Sequence, residues 1–255
     1  MFDNRSGHYR NPNKFTNIAT CGNANLVFAA AVVRQMVLGS TGQCITAADS
    51  PSLSRTVGHY HELVYWDPLP TVQASASLRN VGWADGRLLG PPEDYLRGMW
   101  EHRDWRNVPG PFYGAQTDNC WAGRPIAPDH IIYEDGYGSE LVFRQPQNAW
   151  QTQLVLSAAW TDPFLSYACD GDDHWNLELI RTWWAERARL RAWIDAVDSK
   201  WSVSQDAETR DAAKGLRDFR SYLDNGLETY LREYGFWLEN HRPALPEETL
   251  PDLGD

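Results

Sequence analysis

The feature that most constrains the fold is a pair of apolar seams in the last third of the chain. Ile180, Trp183, Leu190, Ile194, Val197 and Trp201 recur at spacings of three, four or seven. Leu216, Phe219, Leu223, Gly226, Tyr230, Tyr234 and Trp237 repeat the pattern. This spacing lays apolar side chains along one stripe of a helix, and the stripe must be covered. Two such stripes in succession predict an antiparallel helical hairpin. Gly226 breaks the second seam: it either lets two backbones approach closely or ends one helix after Asn225.

Upstream the signals are shorter. Asn23 to Leu38 predicts a helix that is apolar almost all round, hence buried, with Gly39 as its stop. "CITAAD", "HELVYWD" and "TVQASASLRN" predict short strands, the last half-exposed because it alternates. Residues 82–128 are rich in Gly, Pro and Trp and predict a long loop, interrupted by a short helix after Pro92. "HIIYEDGYGSELVFRQP" predicts a hairpin, because two β-rich runs flank Asp135-Gly136 and Gly138. "NAWQTQLVLSAAW" predicts a helix that ends at Pro163.

The expected fold class is therefore α+β. A small, mostly antiparallel sheet with a buried N-terminal helix precedes a C-terminal antiparallel helical hairpin packed on it. Residues 1–163 form the first part, 164–241 the hairpin and 242–255 a loose acidic tail, all in one domain with a soft boundary near Pro163. The 13 Trp occur both in the loop and on the first hairpin helix, which predicts that the loop packs on that helix.

A formal net charge of -11 sets the partners. An acidic surface repels phosphate backbones, so nucleic acid is not expected. No apolar run approaches a membrane span, and the stretch "MFDNRSGHYRNPNKFTN" has no hydrophobic signal core. Four widely spaced cysteines form no CxxC pair, which gives a zinc ribbon no support; a reducing cytoplasm is the simplest home, and two disulfides are the alternative. GxGxxG, Walker A, GxSxG and PCxxC patterns are absent.

Three chemistries remain. Cys21 stands just before the buried helix, where free backbone N–H groups and the helix dipole stabilise a thiolate. His61 on a strand would be its base, and Asp67 or Asp85 would orient the imidazole. His59 would share the face of His61 and compete with it, and the Gly22 N–H would serve an oxyanion. Cysteine at a helix start followed by a strand histidine resembles the logic of papain-like and transglutaminase-like enzymes. That resemblance implies a cysteine-dependent hydrolase or acyltransferase acting on a small-molecule or peptide substrate, with no cofactor. "QTDNCWAG" superficially resembles the papain nucleophile stretch, but Gly123 and Pro125 follow at once, so Cys120 is a loop residue.

"CDGDDHWNLE" offers a divalent metal site instead. His174 and Asp170 would be its first ligands, with Asp172 and a distant His130 added, a donor set suited to Mg, Mn or Fe(II). Against this, Asp172 or Asp173 suits the cap of a helix starting near Trp175. The third reading is non-catalytic. Glu134, Asp135, Glu140 and the acidic tail would form a face for a basic protein partner, or copies would self-associate through the seam helices.

The thiol reading expects iodoacetamide to label Cys21 rapidly at about pH 6, and His61→Ala to slow it. A Cys21 that labels only after unfolding is a core residue and removes that reading.

Overall fold

A two-stranded antiparallel hairpin lies between two groups of helices. Its strands are β2 (Ile131–Tyr133) and β3 (Glu140–Val142), paired Ile131 with Val142 and Ile132 with Leu141. Successive strand residues point to opposite faces. Ile131 and Val142 accordingly enter one apolar core, while Ile132 and Leu141 enter the other. Both faces are covered, so every residue of both strands is buried.

The computed structural model describes residues 65–77 and 90–254. Among these residues the chain is an α+β fold with seven α-helices and two small antiparallel sheets. The second sheet pairs β1 (Tyr113–Gly114) with β4 (Tyr167–Ala168). On one side of the hairpin lie α1 (Leu69–Ser77) and α3 (Ala149–Thr161). The short α2 (Gly123–Ile126) precedes β2. On the other side lie α4 (Leu177–Ala185), α5 (Arg187–Trp201), α6 (Ala207–Asp224) and α7 (Leu227–Asn240). Among the described residues no helix is long and apolar enough to cross a membrane.

The seams form as their spacing predicts. Ile194, Val197, Leu216 and Phe219 are almost completely buried in one core. Three ion pairs run in opposite order along α5 and α6 and fix the two as antiparallel: Arg191–Asp224, Asp195–Arg220 and Asp198–Arg217. Each seam is split. Glu186 divides α4 from α5, and Gly226 starts α7 after α6 has ended. Gly226 has φ +106, a left-handed conformation that costs an L side chain about 1–2 kcal/mol, so it is the stop and not a close-approach site.

The Trp-rich loop packs on this helical layer. Trp183 Nε1 donates to the Trp105 carbonyl at 2.8 Å, and the Trp100 and Trp175 rings meet edge-on at 5.1 Å. Each indole N–H or ring edge thus finds a partner at the junction.

Four expectations change. "TVQASASLRN" begins inside α1, because Val72 enters the core that α3 shares and Gln153 Nε2 of α3 donates to Ser75 Oγ at 2.7 Å. The helix after "CDGDDHWN" is capped by Asn176, whose Oδ1 accepts from Leu179 N, and not by Asp172 or Asp173. The tail is docked: Arg232 Nε and Arg181 Nε donate to the carbonyls of Pro251 and Asp252, and Leu253 is 4% exposed. The supposed acidic face is largely buried. Glu134 accepts four backbone N–H bonds, from Gly136, Tyr137, Gly138 and Ser139, and so closes the hairpin turn. Glu140 is 1% exposed, and Asp135 accepts from Trp193 Nε1 at 2.7 Å. The N-terminal helix with Cys21, and the residues His61 and Asp85, lie outside the described residues.

Glu134→Ala strips the acceptor from four turn amides, and losing hydrogen bonds to a charged group is expected to cost about 2–4 kcal/mol. Urea denaturation checks this; an unmoved midpoint would show that the turn closes without the carboxylate.

Candidate functional site

The β1–β4 pairing sets the position of the loop that follows β4. Gly171 N donates to the Pro111 carbonyl at 3.0 Å, and a 3-10 turn over Gly171–Asp173 folds the loop back. Tyr113, on β1, then reaches along the pair so that its hydroxyl donates to Asp170 Oδ1 at 2.7 Å. On the other side of the loop, the α7 residue Tyr234 donates its hydroxyl to Asp172 Oδ1 at 2.6 Å. The loop is therefore pinned by two tyrosines from two separate elements.

Residues 65–67 complete the site. Tyr65 docks on α7 against Tyr234 and Trp237, with ring centroids 5.2 and 5.0 Å away. Leu69 N donates to Asp67 Oδ1 at 2.9 Å, which holds Asp67 at the start of α1. Asp67 then bears electrostatically on Asp172 and on Tyr65. A chain segment distant in sequence thus brings a further carboxylate to the loop.

His174 lies over the Trp100 ring, with centroids 4.6 Å apart and planes at 11°, and its Nε2 is 3.3 Å from Asp170 Oδ2. The Arg103 guanidinium also lies on Trp100, 3.7 Å from the ring centroid, and on Trp175. Arg103 therefore spends its charge on aromatic faces. Among the described residues no Lys or Arg forms an ion pair with Asp67, Asp170, Asp172 or Asp173.

The electrostatics show the consequence. Burial, and then the neighbouring Asp67 and Asp173, push the Asp172 carboxyl up to about 7 against the pull of the Tyr234 hydrogen bond. Asp172 Oδ2 and the Tyr65 hydroxyl are both buried without a hydrogen-bond partner. Tyr65 is 6% exposed, so its hydroxyl has no ready access to solvent. Burial followed by Asp170, Asp172 and Asp173 pushes the neighbouring Cys169 thiol up to about 12, which leaves it a poor nucleophile.

The sequence-derived ligands divide. Asp170 meets His174, while Asp172 turns to Tyr234 and feels Asp67, proposed as a thiol orienter. His130 joins neither: it is 1% exposed, and its Nδ1 faces the Arg144 carbonyl, 2.9 Å away at the end of β3. Burial lowers its pKa. Among the described residues no group of three His, Cys, Asp or Glu side chains is arranged to hold a metal ion. Cys120 is half-buried in the segment before α2, which begins at Gly123. Tyr65, Tyr113, Trp100 and Arg103 were not anticipated. Tyr234 was placed on a seam, and a hydroxyl at the end of a seam ring was the available hint that it would meet a buried acceptor.

Compared with known proteins, the chain matches no family model, no curated protein and no solved structure.

Four carboxyls, Glu140, Asp172, Asp118 and Glu208, hold their protons more tightly in the folded protein than carboxyls ordinarily do. Burial is the leading cause at each, raising Glu140 to about 8, Asp172 to about 7 and Asp118 to about 6. The folded state then binds more protons than the unfolded chain from the ordinary carboxylate range up to about pH 8. Stability is therefore fully present below that range and falls as pH rises through it. The urea midpoint at about pH 5 is expected to exceed that at about pH 8.5, and Glu140→Gln to narrow the gap. A midpoint that rises with pH across this window would contradict the assignment.

Proposed function

We propose that this chain is a non-catalytic acidic binding module, and that the loop of Asp170, Asp172 and Asp173, with Asp67 beside it, receives a basic segment of a protein partner. The observation that carries this reading is that no Lys or Arg among the described residues pairs with these aspartates, Asp170 having only the His174 ring, at 3.3 Å, as an ion-pair neighbour. Elsewhere several acids of the helical layer are matched by arginine: Asp195, Asp198 and Asp224 pair with Arg220, Arg217 and Arg191, and Glu248 of the tail pairs with Arg242. The carboxylates around Asp172 crowd one another instead, to the point of raising its pKa. A lysine or arginine brought by a partner would relieve that crowding.

Two further features support the reading. Asp170 has a side chain 49% exposed, so a partner's cation can reach it without unfolding the loop. The buried, unpartnered Asp172 Oδ2 and Tyr65 hydroxyl mark a polar gap that a donor would fill. Trp100, stacked with His174 at the rim, supplies an aromatic surface of the kind that anchors interfaces.

A fluorescently labelled arginine-rich peptide tests the proposal by anisotropy at low salt. The Asp170→Asn/Asp173→Asn double variant is expected to weaken binding about ten-fold, with affinity falling as salt rises. The charge-matched Asp195→Asn/Asp211→Asn variant should bind as the parent does. Equal weakening by both pairs would reduce the effect to net charge and overturn the assignment to this loop.

A further inference from the structure

We propose that a cleft at the junction of α6 and α7 binds a compact monocarboxylate, with Arg144 as its anchor. The cleft measures about 210 Å³ and is lined by Arg144, Gln147, Tyr222, Gly226, Tyr230 and Glu233 among others. None of its lining residues belongs to the acidic loop, and the cleft stands whether or not the proposed partner binds there.

The backbone of Arg144 is fixed on both sides. Phe143 N donates to the His130 carbonyl, and the His130 ring faces the Arg144 carbonyl. The side chain then lies over the Tyr222 ring, its Cζ 4.4 Å from the centroid. Most arginines in this protein give their N–H groups to a carboxylate or a carbonyl, as Arg191 does to Asp224 and Arg232 to Pro251. Arg144 does neither among the described residues, and its Nε is buried with no acceptor. The Tyr222 hydroxyl, on a residue 8% exposed, is likewise without a partner. Two donors are therefore held beside one cleft, and a buried donor without an acceptor is costly.

The start of α7 adds to this. The fourteen-residue helix begins at Gly226 with no side-chain cap, and Gly226 itself is part of the cleft lining. These features select the charge of the ligand. A guanidinium fork matches the two oxygens of one carboxylate. The Tyr222 and Tyr230 rings supply flat apolar walls, which favour an acid with a compact apolar body. Both a small organic acid and the C-terminal carboxylate of a peptide carry this group.

The test uses the full 15N-labelled chain and follows the Arg144 Nε–Hε NMR signal, identified by its loss in Arg144→Gln. Benzoate, a short peptide with a free or an amidated C-terminus, and inorganic phosphate are titrated separately. Benzoate or the free-acid peptide is expected to shift that signal saturably; read at the Gly226 backbone amide, which every variant keeps, Arg144→Gln loses at least about ten-fold in affinity and Tyr222→Phe a few-fold. Benzoate binding without peptide binding identifies a small acid. Peptide binding that vanishes on amidation identifies a chain end. No saturable shift with either probe, phosphate binding as tightly as benzoate, or unchanged affinity in Arg144→Gln would each overturn the proposal. Should Arg144→Gln fail to fold, the shift of the Gly226 backbone amide in the parent and in Tyr222→Phe decides.

Discussion

The carboxylate of Glu140 sits where four pieces of chain meet, and the placement of the candidate site depends on it. Glu140 Oε1 accepts from Gly123 N at 2.7 Å, which ties β3 to the start of α2. Its other oxygen accepts from the Tyr167 hydroxyl at 2.5 Å, which ties in β4. Its own N–H donates to Thr117 Oγ1 at 2.6 Å, which ties in the segment after β1. Strands of two or three residues have too few ladder bonds to hold themselves in place. The shared carboxylate supplies the missing constraint. It also explains Gly123, because a Cβ there would collide with Glu140 Oε2. The cost is a fully buried acid whose proton affinity is raised by desolvation. Once β4 is held, the loop from Asp170 to His174 has a defined origin.

The same economy runs through the hairpin. One strand pair feeds two cores, because Ile131 and Val142 face α1 and α3 while Ile132 and Leu141 face the helical layer. This arrangement was legible in part. Helical seams repeat over many residues, so α4 to α7 could be read from spacing alone, and Asp135-Gly136 marked the turn. The splits at Glu186 and Gly226 were less legible, since a periodic pattern passes through a short break unchanged. "TVQASASLRN" was misleading because alternation in small residues is compatible with a helix buried on one side. The acidic residues were misread for a more basic reason. A carboxylate that accepts turn amides, as Glu134 does, is indistinguishable in sequence from a solvated one. Only the fold shows which acids face inward.

The candidate site was legible as a cluster but not as an assembly. Asp170, Asp172 and His174 are close in sequence, so their grouping was visible at once. Asp67 was named for a different reaction, with Cys21 and His61, and its arrival beside Asp172 follows from Tyr65 docking on α7. That docking places one aromatic ring of residues 65–77 on a groove of Tyr230, Tyr234 and Trp237. Nothing local in either segment specifies the other.

Charge is partitioned unevenly over the surface, and the partition bears on function more than the net value does. Along α5 and α6, arginines face aspartates across the helix pair, and exposed pairs of this kind contribute little to stability. They do remove local field, so that this acidic layer attracts little. Around Asp172 no such matching occurs, and around Arg144 a cation stands with no acid paired to it among the described residues. A protein with net charge -11 that, among the described residues, leaves Arg144 with neither acid nor carbonyl partner, and leaves the aspartates around Asp172 without a Lys or Arg, holds two sites of opposite polarity. Placing Arg144 at the acidic loop would have satisfied both. Its backbone is instead fixed by His130 at the end of β3, and the loop is fixed by Tyr113 and Tyr234. The two unmatched charges are therefore kept apart by the fold, and each remains open to a ligand of the other sign.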